Sequence, residues 1–188
     1  MTFRRRRPAV AWIVIIAVLV VGAVLVGRMM RAPLHVRAPV PSQARTTVQV
    51  YFVRVAPHRT VTLAVVHRRV PLGPADELEA AALRALLEGP TRGERSHGVA
   101  TEIPSGTVLR GVTLQSGLAT VDLGVSFAQG GGSSTMLARV WQIVYTATQF
   151  PHVESVQLLI GGRHVDTLGG EGLMIGAPLR RPGSMPTF

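Results

Sequence analysis

TVLRGVTLQSGLATVDLG, residues 107–124, decides how the chain is to be read. Within it Ala119, Val121 and Leu123 alternate with Thr120 and Asp122. A period of two belongs to a strand with one face turned inward. The stretch predicts two strands, Thr107–Leu114 and Leu118–Leu123, joined at Gln115-Ser116-Gly117. Asp122 then falls on the solvent side, where it is a candidate recognition carboxylate.

Helical spacing flanks this hairpin on both sides. GPADELEAAALRALLEGP, residues 73–90, places Leu78, Ala82, Leu83, Leu86 and Leu87 on one apolar stripe. Pro74 suits a first helical position, and Asp76, Glu77 and Glu79 suit the positive end of a helix dipole. Gly89 and Pro90 then stop it. After the glycine run QGGGSS a second helix is predicted from about Ser134 to Gln149, with Leu137, Val140, Trp141 and Val144 on one face. Leu86 and Val140 are expected to face the sheet.

Upstream, Thr46–Val55 and Thr60–Val70 are β-branched and aromatic, and Pro57 lies in the turn between them. Downstream, VESVQLLIGGRHVDTL predicts a final hairpin, with Gly161-Gly162 supplying the positive φ of a two-residue turn. The order ββαββαββ gives an α+β domain over residues 46–172. Most strand links are too short for parallel crossovers, so a mainly antiparallel sheet with two helices packed on it is expected. Residues 173–188 form a tail with little pattern.

The N-terminal part is of a different kind. Eight of the 20 Arg lie at or before Arg45, where no acidic residue occurs. Beyond it twelve Arg face ten Asp and Glu. The formal charge of +10 therefore belongs to the leading segment. A nucleic-acid domain needs a concentrated basic face, and this distribution argues against one. Residues 1–8 carry the Arg4–Arg7 cluster, and Ala9–Gly27 is an uncharged apolar run. Nineteen helical residues at about 1.5 Å each approach the ~30 Å of a bilayer core. We read a signal anchor with the Arg cluster inside, against the alternatives of a cleaved signal peptide and a twin-arginine signal. Residues 28–45, with Pro33, Pro39 and Pro41, form a linker.

Residues 86–106, LLEGPTRGERSHGVATEIPSG, crowd charged groups among prolines and glycines. Glu94, His97 and Glu102 could supply acid–base chemistry if they met in one cleft with Asp122 and Glu171. A helix stop before them and a turn after them, Pro104-Ser105-Gly106, favour a solvated connector. On that reading Arg92, Glu94, Arg95 and His97 form a possible partner-binding surface. QGGGSS resembles a phosphate cradle but has no following Lys, so a glycine loop with Ser133 or Ser134 as helix cap is preferred. His35, His58, His67, His97, His152 and His164 form no paired ligand set, and no metal or cofactor is implied. With no Cys, disulfides and thiolate sites are excluded. Ser105, Ser126 and Ser133 have no nucleophile-elbow context. Trp141 and Tyr145, four apart, suit core packing better than a sugar platform.

A series of short segments is similar to the GerMN domain family. In order they are VYFVR, LLEGPT, TEIPSGTVLRGV, GLATVDLGVSF, GGSSTMLARVWQIVYTATQFPHVESVQLLIGG and LGGEG, over about Val48–Gly172. The resemblance implies an extracytoplasmic, envelope-anchored, non-catalytic module with a role in sporulation or germination. Its partner would be an envelope protein or peptidoglycan. The alternative is an enzyme, or an enzyme accessory, acting on peptidoglycan. Members of that family are often lipoproteins; this chain has no Cys to lipidate. A reporter fused after Phe188 is expected to be active only outside the cytoplasm. Recovery of membrane protein whose N-terminus lies near Ala32 would replace the anchor with a cleaved signal.

Overall fold

The computed structural model describes residues 44–55, 60–169 and 172–188. The apolar run Ala9–Gly27, the Arg cluster before it, most of the linker, Pro57, His35, His58 and Glu171 lie outside the described residues. Among those described, no helix is long and apolar enough to cross a membrane.

The architecture is α+β. Strands β1 (Arg45–Val55) and β2 (Val61–Pro71) precede helices α1 (Ala75–Leu87) and α2 (Arg92–Ser96). Then follow β3 (Val99–Ala100), β4 (Leu109–Gln115), β5 (Leu118–Leu123) and a 3-10 turn at Val125–Ala128. Helix α3 (Ser133–Ala147) leads to β6 (Ser155–Ile160), β7 (Arg163–His164), β8 (Thr167–Leu168) and β9 (Leu173–Met174). The strands form sheets ordered β2-β1-β3, β4-β5-β6-β7 and β8-β9. The single sheet expected from the sequence is thus divided.

Two tight turns follow from their residues. Ser116 and Gly117, with φ of 47° and 80°, close β4 onto β5. Gly161 and Gly162, at 61° and 79°, close β6 onto β7. Positive φ at both central positions matches the twist of paired strands. The ladders are antiparallel as expected except for the β5–β6 pair, which is parallel. The link between them carries α3, and about a dozen residues or more suffice for such a crossover.

Helix α3 is buried on nearly every side. Val140, Ile143, Val144 and Ala147 join the main core with Val50, Phe52, Leu83, Leu86, Val121 and Leu158. Ala138, Tyr145 and Trp141 pack on the opposite side against Tyr51, Val53, Leu63 and Phe188. Leu86 is 0% and Val140 2% exposed, so both stripes point inward as expected. Strand β1 feeds both clusters: Val48, Val50 and Phe52 serve one, Tyr51 and Val53 the other. Helices on one face of one sheet is therefore replaced by a helix with apolar contacts on two sides.

A polar stripe runs down the same helix and into the turn that follows it. Gln142 and Thr146 on α3, with Gln149 two residues past its end, stand at i, i+4 and i+7 and line the side of β1 that β3 covers only at Val53 and Arg54. Gln149 accepts from the Gln49 N–H and donates to the Gln49 carbonyl, both at 2.6 Å. The Tyr51 N–H donates to Thr146 Oγ1 at 3.1 Å, and Gln142 Nε2 donates to the Tyr51 carbonyl at 3.3 Å. Gln142 and Thr146 are fully buried, so a substitution that removes these atoms strands backbone groups of β1.

The tail beyond Gly172 packs on the domain although its sequence shows no period. Ile175 is 1% exposed, and Leu179 pairs with Val156. Arg181 lies over Tyr145 at 4.5 Å and over Tyr51 at 5.3 Å. Cation–π contacts here help fix a segment whose only regular element is the two-residue β9.

Helix α1 departs from its sequence reading at both Pro74 and Glu79. Pro74 is the N-cap, and Asp76 and Glu77 occupy the first turn. Glu79 instead turns into the core, where it is 0% exposed and neither carboxylate oxygen has a hydrogen-bond partner. Desolvation, with the neighbouring Asp76 charge, raises its pKa from 4.5 to about 7. A carboxyl that holds its proton more tightly when folded stabilises the fold fully below about 4.5 and loses that contribution as the pH rises through 7. The unfolding free energy is expected to fall by roughly 2–3 kcal/mol between pH 5 and pH 8, and the melting temperature with it. Glu79→Met should abolish that slope in a series of thermal melts.

Candidate functional site

The crowded segment is not a plain loop. Thr91 caps α2 through a reciprocal box: its hydroxyl accepts from the Glu94 N–H, and the Glu94 carboxylate accepts from the Thr91 N–H. Thr-x-x-Glu carries that signal in the sequence, and it makes part of the connector a five-residue helix.

The four candidate residues of this segment play different parts. Glu94 receives both Nη groups of Arg68 from β2, at 2.5 and 2.6 Å. Arg68 in turn lies 5.6 Å from the Phe52 ring. This mostly buried fork holds the Glu94 carboxyl down at about 2, with the Thr91 bonds adding to it. Arg95 donates to the Pro90 carbonyl, and His97 Nδ1 meets the Gly93 carbonyl at 2.7 Å. Arg92 is exposed and makes no hydrogen bond or ion pair among the described residues. The result is a clamped Glu94 beneath an outer surface of Arg92, Arg95 and His97.

A second feature lies at the start of α3. A cleft of about 250 Å³ is lined by Gly131, Gly132, Ser133, Ser134, Leu168 and Gly169, with Met136, Leu137 and Leu173 as apolar walls. Among the described residues no charged side chain lines it. Gly132, not Ser133 or Ser134, is the N-cap, and no side chain caps the helix. Gly131 has φ of 89°, and a Cβ there would sit 2.7 Å from Thr135 Cγ2. The preceding loop is held from inside by Arg139, which is 2% exposed. Its guanidinium donates to the carbonyls of Glu102 (3.0 Å), Phe127 (2.5 Å), Gln129 (3.1 Å) and Gly130 (3.2 Å). Burial pulls the Arg139 pKa down, with the Glu102 charge opposing it, and four carbonyl dipoles satisfy the cation.

The other candidates are spread through the fold. Asp122 accepts from the Gly162 N–H at 2.8 Å and from Arg110 Nε at 3.0 Å, so it braces the β6–β7 turn. Glu102 lines a small cleft with Val61, Ser134, Thr135, Ala138 and Phe188. Its N–H donates to Gln142 Oε1. Ser126 donates to the Gly106 carbonyl, and Ser105 is exposed in a turn. Trp141 and Tyr145 meet edge-on at 6.2 Å, with Tyr51 5.3 Å from Tyr145. His164 Nε2 meets the Gly176 carbonyl at 2.8 Å, and His152 stacks on Phe150. Among the described residues no group of three His, Cys, Asp or Glu is arranged to hold a metal ion. Arg68, Arg139 and the Gln142–Thr146–Gln149 stripe escaped the sequence reading. Only the stripe had a visible signal, its helical spacing.

A family model described as Germane, sporulation and spore germination, matches residues 49–166. The chain belongs to the Germane family. A search of curated proteins returns no match. Among solved structures, the tandem GerMN domains of the sporulation protein GerM from Bacillus subtilis align with a TM-score of 0.61 at 22% identity. That alignment covers 76% of this chain and 48% of the other, so this chain spans about half its length. The first GerMN domain of the same protein aligns at 0.54 and 20% identity, over 72% and 98% of the two chains. A putative lipoprotein from Clostridium perfringens aligns at 0.53 and 20%, over 73% and 89%. At these identities the likeness establishes a common fold.

The Glu94 clamp of this Germane domain has a measurable pH signature. A carboxyl held lower in the folded than in the unfolded chain contributes fully above about 4.5. That contribution is lost as the pH falls toward 2. Arg68→Ala and Glu94→Gln are each expected to cost about 1–2 kcal/mol at pH 7. In acid titrations followed by circular dichroism, Glu94→Gln should converge on the unsubstituted protein near pH 2.

Proposed function

We propose that this Germane domain is a non-enzymatic binding or assembly module of the cell envelope. It is held outside the cytoplasm by the single-pass anchor at Ala9–Gly27. Its setting is sporulation or germination, and its partner is an envelope protein or peptidoglycan. The observation that carries this reading is the use of the polar candidates inside the domain. Glu94 is committed to Arg68, Asp122 to Gly162 and Arg110, while Arg92, Arg95 and His97 stay on the surface of α2. Loops and short elements held by a rigid scaffold are where recognition concentrates. The fold likeness to GerMN domains and the family match support the same setting.

A photo-cross-linking residue placed at Ser96 in the full chain tests this in intact cells. A discrete cross-linked product is expected, and Arg92→Glu should weaken it. Because Arg92 has no hydrogen-bond or ion-pair partner among the described residues, its replacement should move stability by no more than about 0.5 kcal/mol. Cross-linking that is unchanged by Arg92→Glu removes α2 from the interface. Muropeptide cleavage by the purified chain, lost in one carboxylate variant, would replace binding with catalysis on peptidoglycan.

A further inference from the structure

Strand β2 is an edge, and its parity shows which backbone groups are unclaimed. In an antiparallel ladder, alternate residues turn their N–H and C=O to opposite sides. The Val61 N–H donates to the Phe188 carbonyl at 3.4 Å, and the Phe188 N–H returns to the Val61 carbonyl at 3.0 Å. Val61 thus faces away from β1. Leu63, Val65, His67 and Arg69 share that parity, whereas Val66, Arg68 and Val70 turn toward Val50, Val48 and Thr46 on β1.

The chain's own C-terminus has already added itself to this edge. Thr187 pairs with Thr62 in antiparallel sense. The next outward partner, opposite Leu63, is Pro186 by register, and proline has no N–H to donate. The tail then leaves for α3, where the Ser184 carbonyl accepts from the Tyr145 hydroxyl. Beyond that point no hydrogen bond among the described residues uses the N–H of Val65, His67 or Arg69, the His67 carbonyl accepts only from Arg68 Nη1 at 3.5 Å, and all three residues are exposed. Val65 is 42% exposed.

Charge selects the occupant. The described residues of β1 and β2 include Arg45, Arg54, His67, Arg68 and Arg69 and no acidic side chain. Only Arg68 among these has an ion-pair partner among the described residues. A second copy would bring like charge against like charge across the new pair. An added strand with Asp or Glu at alternate positions meets the opposite sign.

We propose that the open edge of β2 at Val65, His67 and Arg69 docks an extended acidic segment of a partner protein as an added strand. Main-chain bonds give the affinity, and the Arg69 and His67 side chains select the acidic sequence. This rests on the binding reading above, which cross-linking through α2 tests separately.

The test uses the full chain in detergent and a short synthetic peptide of alternating Val and Glu, capped at both ends. Residue-resolved hydrogen exchange is expected to show new protection at the Val65, His67 and Arg69 amides. Val66, Arg68 and Val70, already bonded to β1, should change little. A peptide N-methylated at alternate residues should lose binding, and a Val-Lys peptide should not bind. Arg69→Glu should weaken the Val-Glu peptide about tenfold, and Arg69→Ala should weaken it less, both at unchanged melting temperature. Four results would overturn the proposal. They are peptide binding without protection of those three amides, equal binding of the N-methylated peptide, and the same protection appearing with protein concentration and no peptide. The fourth is binding of phosphatidylglycerol vesicles with no response to the peptide.

Discussion

Strand β1 has a full neighbour in β2 on one side and only two residues of β3 on the other. The backbone groups at Gln49 and Tyr51 on that second side need partners within the protein. They find them on α3 and the turn that ends it. Gln142, Thr146 and Gln149 present side-chain amides and a hydroxyl where another strand would present its backbone. An unmet buried donor or acceptor costs on the order of 1–3 kcal/mol, so this contact sets where α3 must lie. With α3 in that position, Val140, Ile143 and Val144 reach the main core, and Ala138 and Tyr145 reach the second cluster. Gln142 also accepts from the Glu102 N–H, which ties the segment entering β4 to the same helix.

Most element types were legible because their signals are local. The alternation at Ala119, Val121 and Leu123 matches their burial, and Gly161-Gly162 has the φ values its turn requires. Leu86 and Val140 point inward as their spacing demands. What was not legible depends on partners far away in the chain. Whether β5 pairs with β6 in parallel depends on where α3 returns the chain, which periodicity does not report. Division into separate sheets is of the same kind. Glu79 belongs to the surface by its chemistry and to the core by its place on the stripe, one position after Leu78. Residue type prevailed in the sequence reading, and packing prevails in the fold.

The candidate site divides along the same line. The residue types that made Arg92–His97 conspicuous are present, but a charged residue announces neither its partner nor its freedom. Glu94 is bound to Arg68, 26 residues earlier, and no pattern within its own segment points there. Arg139 resembles an exposed helical arginine in the sequence, yet it gathers four carbonyls around the glycine loop. Thr91 and Glu94 are the exception, because a capping box lies within one turn and can be read directly.

The bond between Gln49 and Gln149 joins residues 100 apart in the chain. Ribosomes add about 5–20 residues per second, so β1 exists for roughly 5–20 s before the helix that closes its edge has been made. During that interval the β1–β2 hairpin can form, since its contacts are sequential, but one side of β1 still carries open backbone groups and half-buried apolar residues. The nascent chain is then a short ribbon with an adhesive margin. Its arginines and the absence of acidic residues in both strands keep neighbouring nascent ribbons apart by repulsion. The same charges that mark the mature hairpin therefore also guard it before the domain is complete.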